Sequence, residues 1–306
     1  MDIDLLKTFI TVTKLRNISK ASEEVYLTQP AVSKQIKSLE QHYGVKLFER
    51  INKKLLLTEE GKHLLDYAYR IVNLYNESIE SVNKEERQIK GILKILSNQT
   101  LGVYILPRLI KPFCNIYPDL KIEMFLEHTE HIINAVKHGN ANFGFIGRDP
   151  KDPSIVLHPF YRDELKVVVG PGLGINKRVL SLRKLESLPF LQRERGSDIR
   201  HTHEQWLKER GITLKPRMEL NNTEAVKVFV QYGMGFAILP WCTVEHEVRE
   251  GLLRVVTVPH FEIFREYYIC HYKDKMFSKP EKIFFEYIFN AMKSKTSFIS
   301  VAPPPY

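Results

Sequence analysis

Residues 18–50, ISKASEEVYLTQPAVSKQIKSLEQHYGVKLFER, constrain this chain more than any other stretch. They read as two short helices joined by a tight turn, followed by the start of a small hairpin. Thr28 is a good N-cap, and Pro30 fits a first turn whose N–H groups have no intrahelical partner. Val32, Ile36 and Leu39 recur at helical spacing and define one stripe to bury. Gln29, Ser33, Lys34 and Lys37 fall on the other side, and no acid occurs from Thr28 through Leu39. Ala21 and Val25 give the preceding helix a close-packing face. This is the pattern of a helix-turn-helix whose second helix enters the DNA major groove. The candidate DNA-binding set on it is Thr28, Gln29, Pro30, Ser33, Lys34 and Lys37.

The flanks support the same reading. Leu5, Leu6, Phe9, Ile10 and Val12 mark an amphipathic first helix that backs the motif. Two apolar runs around Asn52-Lys53-Lys54 suggest a winged hairpin, with Arg50 and Lys53 directed to phosphate or the minor groove. For two lysines at a hairpin tip the plainer reading is a solvated turn; beside a recognition helix the DNA reading is preferred. From Thr58 to about residue 88 a long helix is expected, with Glu59 and Glu60 at its positive end. Leu65, Ala68, Val72, Tyr75, Ile79 and Val82 step alternately by three and four, as in a coiled-coil seam. The competing reading is a helix packed on its own domain. A dimer is preferred, because two recognition helices match a dyad-symmetric site with half-sites about 34–36 Å apart.

A charged stretch, KEERQIK at residues 84–90, ends at Gly91 and marks a domain boundary. Beyond it, short apolar strands alternate with helices through two rounds, which implies a mostly parallel α/β sheet. The expected division is residues 1–58 for DNA binding, 59–90 for the linker helix and hinge, 91–294 for a regulatory domain and 295–306 for a disordered tail. Within 91–294, one lobe takes about 91–163 and 267–294, and the other about 164–266.

Ligands of open α/β sheets sit beyond the carboxyl ends of strands, near helix N-termini. Those positions are Ser97, Asn98, Gln99, Thr100, Thr129, Gly147, Arg148, Arg195, Ser197, Arg200 and Asn222. Hydroxyls, amides and arginines converging on one cleft suit a small anion. Each also has a simpler use: Ser97 and Thr129 as helix caps, Arg148 as a surface ion-pair partner.

Net charge is +9 over 306 residues, which fits a polyanionic partner and equally fits plain solubility. Cys114, Cys242 and Cys270 are odd in number and form no CxxC, so neither a disulfide framework nor a zinc site is expected, and a reducing cytoplasm fits. The N-terminus carries acids before any apolar run, unlike a signal peptide, and no membrane span is expected. No cofactor, no metal site and no nucleophile–base pair stands out, so no enzymatic activity is expected. The alternative is a solute-binding or enzymatic two-lobed α/β protein, which leaves the first 90 residues without a role.

The motifs also carry a resemblance. Ala21, Gln29-Pro30-Ala31-Val32-Ser33, Leu39-Glu40, Gly44, Leu47-Phe48, Arg50 and Thr58-x-x-Gly61 resemble the LysR-type transcriptional regulators, with Ser22 and Asn17-Ile18 as mild departures. Thr100-x-Gly102-x-Tyr104-x-Leu106-Pro107, Arg193-Glu194-x-Gly196-Ser197 and Glu219-Leu220-x-Asn222-x-Glu224-Ala225 are similar to the branch regulating carbon-fixation and inorganic-sulfur operons. The resemblance implies a winged helix-turn-helix, a long linker helix and a two-lobed, periplasmic-binding-protein-like domain. It also implies operator DNA and a small effector as partners, antiparallel dimerisation, tetramers, and RNA polymerase as a candidate contact. Asp198-Ile199 departs from the Gly-Thr that often precedes the arginine matching Arg200. An acid there either repels an anionic ligand or pairs with Arg200.

Overall fold

The computed structural model describes residues 2–51, 54–82, 89–175 and 178–294. Helices α1 (Ile3–Leu15), α2 (Ile18–Glu24) and α3 (Gln29–Tyr43) come first, followed by a hairpin of β1 (Phe48–Ile51) and β2 (Lys54–Leu57). Their local signals act as expected. Thr28 accepts from the Ala31 amide, and α3 ends on Gly44 at a φ of 71°, the left-handed cap that glycine adopts without strain. Glu40 accepts from the Leu47 amide and from Lys46 Nζ, tying the end of α3 to the hairpin. Leu6, Phe9, Val12, Ala21, Val32, Leu39 and Leu47 are fully buried together as one small core.

Helix α4 (Glu59–Val82) runs from this core, and its first half belongs to the core. Leu64 and Ala68 are buried there, with Leu65, Ile71 and Val72 packed at its edge. This corrects the expected seam: Ala68 is an internal residue of the DNA-binding unit, and Leu65 and Val72 are partly covered by it. Only Tyr75 and Ile79 of the expected set stand exposed, while the side chain of Val82 and residues 83–88 lie outside the described residues, as do Lys53 and the expected tail. The helix also touches the regulatory domain through Arg70, which is 3.7 Å from Asp274 and stacks over Tyr272.

The regulatory domain continues with β3 (Gly91–Ser97), a π-helical turn at Leu101–Ile105, α5 (Leu106–Ile116), β4 (Leu120–Leu126), α6 (Thr129–Lys137), β5 (Phe143–Ile146) and β6 (Ile155–Val169). It goes on through α7 (Leu182–Glu186), β7 (Phe190–Arg193), α8 (Asp198–Glu209), β8 (Pro216–Leu220) and α9 (Thr223–Gln231). Last come β9 (Phe236–Pro240), α10 (Trp241–Arg249), β10 (Arg254–Val256), β11 (Ile263–Tyr272) and α11 (Lys279–Ser294). Strands pair in the order β4-β3-β5-β11-β6-β9-β7-β8, with β10 also on β6. Within each lobe the pairing is parallel, β4-β3-β5 in one and β9-β7-β8 in the other.

The long strands β6 and β11 are antiparallel to each other and cross between the lobes. The end of β11 pairs with β5 at Tyr268↔Ile146, while the end of β6 pairs with β9 at Leu165↔Pro240. Their register shifts between Tyr267 and Tyr268, opposite the stretch around Pro159, which has no N–H to give the ladder. Each lobe keeps its own core: Phe113, Phe143, Phe145 and Phe284 in the first, Phe190, Phe236, Ile238 and Leu165 in the second. A cleft between two separately packed lobes therefore lies where the crossing strands pass.

Candidate functional site

Two surfaces carry the expected chemistry. On α3, Thr28, Gln29, Pro30, Ser33, Lys34 and Lys37 are all exposed, while Val32, Ile36 and Leu39 are buried against α1 and α2. Arg50 on β1 is exposed beside them. The helix thus offers an outward row of amide, hydroxyl and ammonium groups on a rigid base. Tyr26, which the sequence reading passed over, sits in the turn before α3, 95% exposed at a φ of 55°. No turn-forming residue in Glu24-Val25-Tyr26-Leu27 signals that left-handed position from sequence.

The second surface is the cleft between the lobes, a cavity of about 380 Å³. That is within the size range of small-molecule sites. Asn98, Gln99, Thr100 and Thr129 line it from the first lobe, Ser197 and Asn222 from the second. Asn222 caps α9, its Oδ1 accepting from the Glu224 and Ala225 amides. Gln99 reaches across the cleft, its Oε1 accepting from the Thr223 amide at 3.3 Å. His128 faces Glu194 across it at 3.9 Å.

Several expected ligands are placed elsewhere. Ser97 is fully buried and donates to the Asn98 carbonyl, so it neither caps a helix nor reaches the cleft. Arg200 on α8 is held by Glu204 at 2.8 Å and Glu219 at 2.6 Å and donates to the Arg193 carbonyl, away from the cavity lining. Arg195 is exposed and lines a neighbouring surface pocket with Arg200 and His201. Among the described residues no group of three His, Cys, Asp or Glu side chains could hold a metal ion. No described helix is long and apolar enough to cross a membrane.

Asp198, the departure weighed above as a partner for Arg200, points the other way. Its carboxyl group is buried at 7% exposure in a ring of donors. Thr129 Oγ1 donates from 2.8 Å, Arg148 Nε from 3.0 Å, the Gly147 amide from 3.3 Å and Asn98 Nδ2 from 3.4 Å. Arg265 Nη2 is 3.2 Å from Oδ2. Arg148 is therefore engaged within the chain rather than held ready for a free anion. Thr129, for which capping was the simpler use, spends its hydroxyl on Asp198 instead.

Known proteins share both the motifs and this architecture. Residues 3–62 match the model of the bacterial regulatory helix-turn-helix protein, lysR family, and residues 86–293 match the LysR substrate binding domain. The chain belongs to the LysR family. This LysR-family chain is 33% identical to a probable RuBisCO transcriptional regulator of Cyanidioschyzon merolae, over 94% of its own length and 97% of that protein. It is 30% identical to the HTH-type transcriptional activator CmpR of Synechocystis sp., over 92% of the chain and 93% of that protein. A full-length OxyR variant from Pseudomonas aeruginosa has the same fold, with a TM-score of 0.75 at 20% identity, covering 96% of this chain and 95% of the other. The regulator is thus a DNA-binding, effector-binding protein and not an enzyme, and the solute-binding alternative falls away.

The LysR-family reading leaves Arg265 as the main residue missed from sequence. It lies on β11, where Ile263, Arg265, Tyr267 and Ile269 share the buried face. A cation on the apolar parity of a strand was the available signal. Its Nε donates to the Gly147 carbonyl at 3.2 Å, and its Nη1 has no partner. A Cβ on Gly147 would overlap the guanidinium, so only glycine leaves room for it here.

The regulator's second lobe also contains a buried histidine with a consequence for stability. His203 on α8 is 1% exposed against Phe190, and burial pushes its pKa down to about 4. The unfolded chain takes up a proton on it near pH 6.5, while the folded chain resists until about pH 4. Its stabilising effect is therefore full above pH 6.5 and declines as pH falls toward 4, by roughly 3 kcal/mol in all. Denaturant midpoints measured from pH 7.5 to 4.5 should fall, and His203→Leu should make that slope shallower, leaving the part due to His158 and His271, whose pKa burial also pushes down.

Proposed function

We propose that the chain is a dimeric, sequence-specific regulator that reads a dyad-symmetric operator with paired copies of α3. In this reading Gln29 and Ser33 face base edges, Lys34 and Lys37 face base edges or adjoining phosphates, and Thr28, Pro30 and Arg50 set the approach. The observation that carries it is the sorting of α3, where every polar residue of the expected set is outward and the whole apolar stripe is inward. The division of the chain into residues 1–58, 59–90 and 91–294, with the two lobes bounded as given above, belongs to the same reading. Dimers form through the exposed second half of α4 and pair into tetramers in the cytoplasm, where RNA polymerase is a further contact.

The effector enters the 380 Å³ cleft and meets Gln99, Thr100, Ser197 and Asn222. Of the three arginines expected to hold an anion, Arg148 and Arg200 are already paired within the chain and Arg195 is exposed outside this cavity, which favours an uncharged effector here. A small polar molecule, rich in hydroxyl or amide groups, suits the remaining lining. Binding shifts operator occupancy only by its differential affinity for the two lobe arrangements.

The test is a selection of duplexes from a random library, followed by gel shifts at increasing salt with excess nonspecific competitor. A recovered dyad whose complex resists competitor is expected. Recovery of no common sequence, with binding that vanishes steeply with salt, would indicate electrostatic binding alone.

A further inference from the structure

The donors around Asp198 have the form of an oxyanion site. A hydroxyl, a backbone amide, a carboxamide and one guanidinium group converge on one carboxyl group from the other lobe, and a second guanidinium reaches it from the crossing strand β11. Asn98, Thr129, Gly147 and Arg148 stand on the first lobe, and Arg265 on the crossing strand β11. Asp198 itself begins α8 in the second lobe. Arg265 is 3% exposed, and its unpartnered Nη1 is a buried donor beside the same cavity. A buried guanidinium of this kind demands an anion within reach.

We propose that Asp198 is a tethered ligand: its carboxyl group, carried by one lobe, occupies an oxyanion seat built by the other lobe and β11. The seat's own ligand class is a small oxyanion, a free carboxylate or phosphate. In this chain the anion is supplied covalently at a fixed distance, so the lobes close on each other without a free anion. Two further cross-cleft contacts, Gln99 to Thr223 and His128 to Glu194, accompany the closure. The seat has no use for an acid group on the effector, which is why the effector is placed in the cavity beside it. The inference rests on the reading of this cleft as the effector site, yet its chemistry is testable without DNA.

Substituting Asp198→Gly in the full-length protein vacates the seat and leaves two arginines facing it. The variant should melt several degrees below wild type in chloride buffer. Formate, acetate or inorganic phosphate at matched ionic strength should restore it in a saturable way, since a ligand of the folded state raises the melting point by mass action. Wild type should show no such response. Adding Thr129→Val to Asp198→Gly should abolish the restoration, which ties the anion to the seat. A glycine variant unresponsive to all three anions would overturn the proposal, as would a response that survives Thr129→Val or is equal in wild type.

Asp198→Asn keeps the volume and the fold and provides a second measurement. Loss of the charge should speed hydrogen exchange at the Gly147 amide by about tenfold or more, because that N–H donates to Asp198. Unchanged exchange there would also overturn the proposal. Operator binding on the same samples separates the two claims. If anion restoration behaves as stated but Thr100→Val leaves every effector response of operator binding intact, the effector-cleft reading fails and the tethered ligand stands. If Thr100→Val alters that response and no anion restores the glycine variant, the tethered ligand alone is wrong.

Discussion

Replacing Gln29 and Ser33 together with alanine should cut discrimination between operator and random DNA by about 10²–10⁴-fold, the loss of two base-edge contacts at 1–3 kcal/mol each. Both side chains are exposed on the outer face of α3, so neither contributes to the buried stripe of Val32, Ile36 and Leu39. Folding stability should shift by no more than ~0.5 kcal/mol, as for other surface changes. The slope of log affinity against log salt should stay unchanged, because neither residue neutralises a phosphate. Arg50→Ala provides the opposite pattern as a control, with uniformly weaker binding and a shallower salt slope. The measurement is a competition gel shift with operator and scrambled duplexes at several salt concentrations. Undiminished discrimination in the double variant would remove these two residues from the base-reading surface.

How much of this was readable before any coordinates depends on the range over which each signal acts. The helix-turn-helix rests on local rules, an N-cap at Thr28 and an apolar stripe at helical spacing, to which the structure adds a left-handed glycine at position 44. Those rules are written within a few residues, and the helix begins where they say. The polar ends of β3, β4 and β5 were legible for a related reason, since parallel strands alone put Asn98, Thr100, Thr129 and Gly147 at one edge of the sheet. Strand β7 carries no clear strand signal, because FLQR is short and holds a buried glutamine and a buried arginine, which look like surface residues. Arg193 is tolerated there because it forks onto Glu194 and reaches Thr223.

The first half of β6 was hidden by Pro159 and by charges at Arg162 and Asp163. Asp163 is buried and accepts from the Cys242 and Glu164 amides, and burial raises its pKa. Pairing across the cleft was beyond any local rule. Arg200 is two residues from Asp198, and sequence proximity made it the obvious partner. The observed partners, Arg148 and Arg265, are 50 and 67 positions away and meet Asp198 only because β11 crosses between lobes that close.

The periodic stripe on α4 shows a different limit, and it leads to the second large effect. A period of 3.5 residues says that a face is buried, not what buries it. In the structure α1 covers the first half of the face, leaving Ala68 fully buried. Past Val72 the same face emerges into solvent, with Tyr75 42% and Ile79 45% exposed, Tyr75 still under the ammonium of Lys7 on α1. Two large apolar residues one helical turn apart, continuous with a packed stripe, are what a partner helix would cover. Ile79→Asp places a charge in that contact without touching the DNA-binding core. Sedimentation should then report monomers at concentrations where wild type is dimeric. Affinity for a full dyad should fall by about 10²–10⁴-fold, the gain that linking two weak sites ordinarily provides. Affinity for an isolated half-site should remain as in wild type, since α3 and its support are unaltered. A variant that still sediments as a dimer would move the self-association surface away from α4, whereas a monomer with undiminished affinity for the dyad would show that a single α3 suffices.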